Sequence, residues 1–260
     1  MTGSGTGSAS GSGRVDLVGG GPGPLDLLTL RAWRLLIRAD VVVMDRLGPT
    51  DIRDHLGPDV EVIDVGKHPG HHPVPQDEIN EILVARAREG KRVVRLKGGD
   101  PFVYGRGGEE VAACLAAGIP VDVVPGISSA VAVPQAAGIP ITHRGVAGTV
   151  HIVNGPSEIG EATLAALRDG SVTTVILMGV GALPRIVADA LRAGAPADRP
   201  VAIVERGHHR DQRTTRSTLG AVVLDAGRVG VRNPAVIVVG EVARAGLLLP
   251  DHQLTGDAVR

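Results

Sequence analysis

Residues 15–44 read VDLVGGGPGPLDLLTLRAWRLLIRADVVVM, and this stretch decides the fold class. Val15–Val18 is a short apolar-rich run that favours a strand, and Gly19–Gly23 is a glycine- and proline-rich turn. Asp26–Arg38 carries apolar residues at helical spacing, and Val41–Met44 predicts a second buried strand. The order of strand, turn, helix and strand is that of a βαβ unit, so the sequence predicts an α/β protein.

The same alternation continues along the chain. Further strands are predicted at 60–65, 92–96, 121–124, 149–153, 174–178, 201–204 and 235–239, and further helices at 76–89, 109–117, 128–137, 162–168 and 183–193. The sequence pattern changes near residues 125–127. This change predicts two α/β domains with mixed sheets, 14–126 and 127–247, and a cleft for a ligand between them. The Gly/Ser-rich residues 1–13 predict a disordered tail, and residues 248–260 a second tail.

Composition excludes several classes of protein. The 27 Lys and Arg residues nearly cancel the 28 Asp and Glu residues, and Trp, Tyr and Phe occur once each, which argues against a nucleic-acid binder. Prolines interrupt the longest weakly charged stretch, Val111–Thr142, so no membrane span is predicted. The single cysteine, Cys114, excludes a disulfide within the chain and a multi-thiolate metal site, which favours the cytoplasm. A buried thiol is favoured over a nucleophile because no base pattern surrounds it.

Two glycine-rich segments follow predicted strands. Gly19–Pro24 stands where a dinucleotide-binding loop would stand, and Asp45 falls where a ribose ligand would fall. Pro22 and Pro24 lack the N–H donors that a pyrophosphate needs, so an NAD site is disfavoured. Arg95–Glu110 (RLKGGDPFVYGRGGEE) holds five glycines and two of the three aromatic residues at a strand's carboxyl end. It predicts a ligand-binding loop rather than the alternative, a mobile surface loop.

These segments resemble the tetrapyrrole methylases, and within that family the branch that methylates uroporphyrinogen III. The resemblance is carried by Val18–Ala32 (VGGGPGPLDLLTLRA), Val43–Leu47 (VMDRL), Gly66–Asn80 (GKHPGHHPVPQDEIN), Val93–Glu110 and Val124–Ala130 (VPGISSA), and it extends through residues 142–144, 178–179 and 204–207. One position departs from the pattern, because Pro24 stands where the family usually has Asp. That departure bears on how the chain enters the first helix more than on the chemistry.

The resemblance implies the tetrapyrrole methylase fold, S-adenosylmethionine as cofactor with S-adenosylhomocysteine as product, and a homodimer. It implies methylation of two pyrrole carbons of uroporphyrinogen III to give precorrin-2, for sirohaem or cobalamin synthesis. It also implies Asp45 as proton acceptor, Lys67 as proton donor and Arg106 as a substrate contact. The implied cofactor residues are Pro22, Gly98, Gly99, Asp100, Val103, Ser128, Ser129, Met178 and Gly207.

The residue types agree with this chemistry but leave alternatives. A pyrrole carbon that gains a methyl group must lose a proton, which a carboxylate such as Asp45 can accept, although an ion pair with Arg46 or a helix cap also suits it. A substrate with eight carboxylates needs local cations, and Arg46, Arg106, His143 and Arg144 are the candidate contacts. Lys67 is either a proton donor or a surface lysine.

His68, His71 and His72 lie in a Pro/Gly loop without further candidate ligands, so cationic contacts or solvated histidines are favoured over a metal site. Two other functions stay open at the level of sequence. One is a related methylase that acts on a later corrin intermediate. The other is a cofactor-binding module without catalysis, against which Asp45, Lys67 and Arg106 together argue.

Overall fold

The computed structural model describes residues 13–45, 47–66 and 74–248, and the chain divides into two compact units at residues 127 and 128. Arg46, Lys67 and the loop histidines His68, His71 and His72 lie outside the described residues. So do the two predicted tails, apart from residues 13 and 248. Gly13 is buried, and a Cβ there would lie 1.9 Å from the carbonyl oxygen of Ala87.

The first unit is a five-stranded parallel sheet with helices on both faces. Its elements are β1 (Arg14–Gly19), α1 (Leu30–Leu36), β2 (Val41–Met44), β3 (Glu61–Asp64), α2 (Gln76–Arg88), β4 (Arg92–Lys97), α3 (Gly107–Ala116) and β5 (Val121–Val124). The strand order is β3-β2-β4-β1-β5, and each neighbouring pair runs parallel. The carboxyl ends of all five strands therefore share one edge of the sheet.

Apolar strands bury both faces of this sheet. Val15 and Leu17 of β1 pack in a core with α2 and α3, whereas Val18 packs on the other face with Ala32 and Leu36 of α1. Side chains alternate between the faces of a strand, so a run of apolar residues can fill two cores at once. This is why β2, VVVM, reads as a continuous apolar run in the sequence.

The second unit is a five-stranded mixed sheet. Its elements are α4 (Ser129–Ala136), β6 (Thr149–Asn154), α5 (Glu161–Arg168), β7 (Val172–Leu177), α6 (Leu183–Arg192), β8 (Pro200–Glu205), β9 (Arg213–Thr218), α7 (Val222–Val229) and β10 (Ala235–Val239). The order is β6-β7-β10-β8-β9; only β6 and β7 pair in parallel among these strands. Because β7 and β8 both run antiparallel to β10, the carboxyl ends of β6, β7 and β8 share an edge.

The structure differs from the sequence predictions of secondary structure at three elements. The helix expected from Asp26 begins only at Leu30, because Leu25–Leu27 forms a 3₁₀ turn and the Thr29 hydroxyl accepts a hydrogen bond from the Ala32 amide at 3.1 Å. A capping threonine satisfies a free N–H of the first helical turn, so the helix starts there. Strand β9 and helix α7 were also missed. Among the described residues, no helix combines the length and apolar character needed to cross a bilayer.

Cys114 on α3 is fully buried, and this burial, together with the nearby Glu110 carboxylate, raises the pKa of its thiol to about 11. At pH 8 only about one such thiol in a thousand is ionised, and the thiolate is the reactive form. We expect Ellman's reagent to leave the native protein unlabelled at pH 8 and to label one thiol per chain in guanidinium. Rapid labelling of the native protein would contradict this placement.

Candidate functional site

The two glycine-rich segments of the first unit are paired with each other at the carboxyl edge of the sheet. The Gly99 amide donates to the carbonyl oxygen of Gly21 at 2.8 Å, and the Gly21 amide donates to that of Gly99 at 3.2 Å. The Gly20 amide donates to the Lys97 carbonyl oxygen at 2.7 Å, and Pro22 follows as a buried residue. The turn after β1 and the loop after β4 therefore form one surface.

Three glycines allow the ends of β1, β4 and β5 to approach closely. A Cβ on Gly19 would lie 2.3 Å from the amide nitrogen of Gly126, and a Cβ on Gly126 would lie 2.3 Å from the carbonyl oxygen of Gly99. Gly99 also has φ +68°, a conformation that favours glycine. Neither the space nor the backbone at these positions accepts a larger residue.

Asp100 uses its side chain to fix the loop. Its Oδ1 accepts a hydrogen bond from the Phe102 amide at 2.9 Å, and its Oδ2 accepts one from the Gly126 amide at 3.1 Å. The carboxylate thus ties the loop after β4 to the end of β5. Val103, half-buried, continues the turn by donating its amide to the Asp100 carbonyl oxygen at 3.2 Å.

Asp45 stands at the carboxyl end of β2, beside β4. Its Oδ1 accepts a hydrogen bond from the Leu47 amide at 2.9 Å, and its Oδ2 lies 3.5 Å from Nη2 of Arg95. The Asp45 side chain is 23% exposed, whereas that of Arg95 is 4% exposed. The carboxylate is therefore held at both oxygens and still reaches the surface. The alternative partner Arg46 lies outside the described residues.

A buried group of charges behind Asp45 was not predicted. Glu110 is fully buried on α3, and its Oε1 accepts hydrogen bonds from Arg95 Nε at 3.1 Å, Lys97 Nζ at 2.9 Å and Gln76 Nε2 at 3.1 Å. Burial lowers the pKa of the Lys97 ammonium. The signal in the sequence is the alternation of Arg95 and Lys97 in an apolar strand, which places both side chains on one face.

Arg106 precedes α3 with φ +58° and is exposed. Its Nε and Nη2 donate to the two carboxylate oxygens of Glu109 at 2.9 and 2.6 Å. These hydrogen bonds raise the pKa of the Arg106 guanidinium and lower that of the Glu109 carboxyl. The fork of Arg106 is thus shaped for a carboxylate and already holds one.

The second unit brings three of the predicted cofactor positions onto two joined elements. Ser128 caps α4 by accepting a hydrogen bond from the Ala130 amide at 3.3 Å, and Ser129 is the first residue of that helix. Gly207 follows β8, and a Cβ there would lie 2.8 Å from Cγ1 of Val133 on α4. The loop after β8 therefore packs directly against the helix that carries the two serines.

Two side chains fasten this loop to α4. Nε2 of His208 lies 2.9 Å from the carbonyl oxygen of Ala132, so it is the donor, and Nε2 of Gln212 donates to that of Ala136 at 3.0 Å. Met178 follows β7 at the same edge of the sheet and is half exposed. The hydrogen bonds of His208 and Gln212 keep Gly207 at a fixed place relative to α4.

His143 and Arg144 lie elsewhere in this unit. The His143 amide donates to the carbonyl oxygen of Ala147 at 2.9 Å, which closes a turn just before β6. Gly148 then joins the amino end of the sheet by donating to the Ser171 carbonyl oxygen. The backbone of the turn therefore adjoins the edge opposite to Met178, so the unit does not bring these two residues beside the cofactor positions.

Backbone strain marks the same loops. Within residues 13–45, 47–66 and 74–248, five non-glycine residues have φ between +46° and +69°: Tyr104, Arg106, Met178, Arg206 and His208. All five follow the carboxyl ends of β4, β7 or β8. Such conformations persist where surrounding structure enforces them, and they gather at functional sites.

In the described part of the chain, no three His, Cys, Asp or Glu residues are placed to hold a metal ion.

The fold and loops define an α/β protein whose candidate binding loops follow the carboxyl ends of its strands. The chain belongs to the tetrapyrrole (corrin/porphyrin) methylases, whose family pattern matches residues 14–223. An S-adenosyl-L-methionine-dependent uroporphyrinogen III methyltransferase of Methanosarcina barkeri is 46% identical over 248 residues, which cover 93% of this chain and 96% of that protein.

Two further relatives show how much of a protein this chain matches. A siroheme synthase of Methylobacillus flagellatus is 46% identical over 89% of this chain but only 50% of its own length. The chain thus spans about half the length of such synthases. The crystal structure of uroporphyrin-III C-methyl transferase from Thermus thermophilus, complexed with S-adenyl homocysteine, superposes with a TM-score of 0.76 at 43% identity, covering 89% of this chain and 99% of that one.

Proposed function

We propose that this chain is an S-adenosylmethionine-dependent methyltransferase that methylates two pyrrole carbons of uroporphyrinogen III to give precorrin-2. The observation that carries the proposal is the 46% identity to the Methanosarcina methyltransferase over nearly the whole of both chains. Because the chain spans about half of the siroheme synthases it resembles, the proposal concerns methylation alone. The product serves sirohaem synthesis, cobalamin synthesis or both.

The residues present fit S-adenosylmethionine. Gly98 and Gly99 carry no side chains that would keep a ligand away from the loop backbone, and the Ser128 and Ser129 hydroxyls would add polar contacts. Arg95 and Lys97, at the base of the loop, are already balanced by the two carboxylates of Asp45 and Glu110, which suits a cationic ligand better than a phosphate. Pro22, Asp100, Val103, Met178 and Gly207 complete the proposed set, and the Asp100 carboxylate acts by shaping the loop.

The bound cofactor supplies a methyl group activated by its sulfonium. This chain then has to align the acceptor carbon, exclude water and take up one proton per methyl group added. We assign the proton to a carboxylate oxygen of Asp45, whose side chain is fixed on both oxygens and 23% exposed. Lys67 is the proposed donor, and Arg46, Arg106, His143 and Arg144 are the proposed contacts to substrate carboxylates.

Replacing Arg106 by leucine should weaken tetrapyrrole binding by roughly 10-fold to 100-fold, since one charge-assisted hydrogen-bonded contact is worth about 1.5–3 kcal/mol. Cofactor affinity should stay unchanged. Fluorescence titration with the tetrapyrrole and calorimetry with S-adenosylhomocysteine measure the two separately. Arg192→Leu is the matched control, because Arg192 is also an exposed arginine paired with an acid three residues away. Equal tetrapyrrole affinities in the two variants would remove Arg106 from the site.

The proposed function is tested by incubating the chain with uroporphyrinogen III and S-adenosylmethionine carrying a labelled methyl group. Two labels per tetrapyrrole are expected. No transfer to uroporphyrinogen III but transfer to a later corrin intermediate would identify the related methylase instead. Cofactor binding without transfer to either acceptor would identify a non-catalytic module.

We also propose that the chain is a cytoplasmic homodimer. Two neighbouring apolar side chains on α7, those of Val223 and Leu224, are exposed and offer apolar area for self-association. The buried, protonated thiol of Cys114 suits a reducing compartment. Sedimentation at micromolar concentration should give about twice the 26.7 kDa chain mass. A mass of one chain at that concentration would count against the dimer.

A further inference from the structure

The charges behind Asp45 form a continuous chain inside the first unit. Arg95 lies between two carboxylates, with Nη2 3.5 Å from Asp45 Oδ2 and Nε 3.1 Å from Glu110 Oε1. Lys97 Nζ lies 2.9 Å from the same Glu110 oxygen. The order is therefore Asp45, Arg95, Glu110, Lys97, with alternating charges and only Asp45 at the surface.

Burying such a chain is unfavourable unless each charge is compensated. Glu110 is fully buried, and its second oxygen, Oε2, has no hydrogen-bond partner among the described residues although its first accepts three. A buried acceptor left without a donor lowers stability, and apolar side chains of similar volume would fill this space at less cost. Stability alone therefore does not account for these side chains.

The geometry of Arg95 leaves it no freedom to turn. Besides Nε on Glu110, its Nη1 donates to the carbonyl oxygen of Leu96 at 2.9 Å and lies 3.4 Å from that of Val43. Only Nη2 remains for Asp45. Since the Leu47 amide holds the other carboxylate oxygen, the direction of the Asp45 side chain is set by Arg95, and that of Arg95 by Glu110.

We propose that Arg95, oriented by Glu110, is a positioning residue that fixes the proton-accepting carboxylate of Asp45 for methyl transfer. The inference rests on the proposed function. Lys97 shares the carboxylate of Glu110 with Arg95 and directly precedes Gly98 and Gly99. The same network therefore joins the base to the start of the loop assigned to the cofactor, so that both keep one relative geometry.

The first test is Arg95→Lys, which keeps the positive charge but loses the fork that reaches both carboxylates. We expect the rate of the chemical step, measured in single turnover at saturating ligands, to fall about 10-fold to 100-fold, as misplacement of a reacting group does. The KM for the tetrapyrrole and the affinity for S-adenosylhomocysteine should change less than about three-fold, because neither ligand is bound by Arg95. An unchanged rate in a folded variant would overturn the proposal.

The double variant Arg95→Lys with Asp45→Asn separates positioning from general weakening of the fold. If Arg95 acts through Asp45, the rate of the chemical step in the double variant should differ from that in Asp45→Asn alone by less than about two-fold. If the rate reductions of the two single substitutions multiply in the double variant, Arg95 acts independently of Asp45, which would overturn the proposal. Wild-type protein without methyl transfer to uroporphyrinogen III would instead refute the proposed function, and this inference with it.

A second substitution keeps the test decisive if Arg95→Lys fails to fold. Lys97→Met combined with Glu110→Leu removes an opposite charge pair together and leaves Arg95 without its orienting partner. A folded double variant with slower chemistry supports the proposal, whereas wild-type chemistry overturns it. Glu241→Gln is the control, because Glu241 pairs with the largely buried Arg199 in the second unit, and its loss should lower the melting temperature without changing the rate.

Discussion

Gly99→Val should abolish cofactor binding, with the affinity for S-adenosylhomocysteine falling at least 100-fold. Gly99 has φ +68° and exchanges two hydrogen bonds with Gly21, so a β-branched side chain forces the loop out of its conformation. Strain of this kind amounts to about 1–3 kcal/mol, and the displaced loop would lose its contacts to the ligand as well.

Calorimetry with S-adenosylhomocysteine measures the loss, and thermal unfolding shows whether the variant is folded. Gly227→Val is the matched control, since Gly227 is an exposed helical residue where a Cβ would meet nothing within 4 Å. The control should bind as the wild type does. Undiminished binding by a folded Gly99→Val would mean that the cofactor lies elsewhere.

Asp45→Asn should slow turnover by about 100-fold or more with both ligands still bound, which is the usual scale for the loss of a positioned base. Asparagine keeps the shape, and its carbonyl oxygen can still accept from the Leu47 amide. Arg95 keeps Glu110 as counter-charge, so the free energy of unfolding should fall by only about 1 kcal/mol.

Single-turnover kinetics at saturating substrate and cofactor isolates the chemical step in this variant. Glu241→Gln again serves as the control for a lost carboxylate charge. A near-normal rate with a collapsed tetrapyrrole affinity would make Asp45 a substrate ligand and assign the base to another group.

The parallel core could be predicted because its strands are buried on both faces. A run such as Val41–Met44 has a simple sequence signature, whatever packs against it. Strand β9, Arg213–Thr218, has none, since its residues are exposed or half-buried and mostly polar, and it pairs only at the sheet edge. Its position depends on Glu205, a fully buried carboxylate that Arg213 binds through two nitrogens. Such a pairing joins residues whose partnership no local periodicity reveals.

The candidate site divides in the same way. Glycine-rich loops after strands predict where ligands bind, because they depend on local backbone freedom. The partner of Asp45 could not be predicted, since Arg95 reaches it from a neighbouring strand and is itself held by Glu110 of a helix. The presence of a charged residue in a sequence does not show whether its side chain is buried. The pairing of Arg106 with Glu109, three residues apart, is local and could have been anticipated from their spacing.

The Asp100 carboxylate is hydrogen-bonded within the protein itself. This limits what can be inferred when its four-residue sequence, Gly98–Pro101, is found in another protein. Both oxygens are occupied by amides of the protein, so the acid is part of the scaffold and makes no selection among acceptor molecules. The presence of these four residues in another sequence would predict the conformation of the loop. It would not predict which molecule receives the methyl group. Transfer of substrate names between such chains should rest on the side chains that face the acceptor.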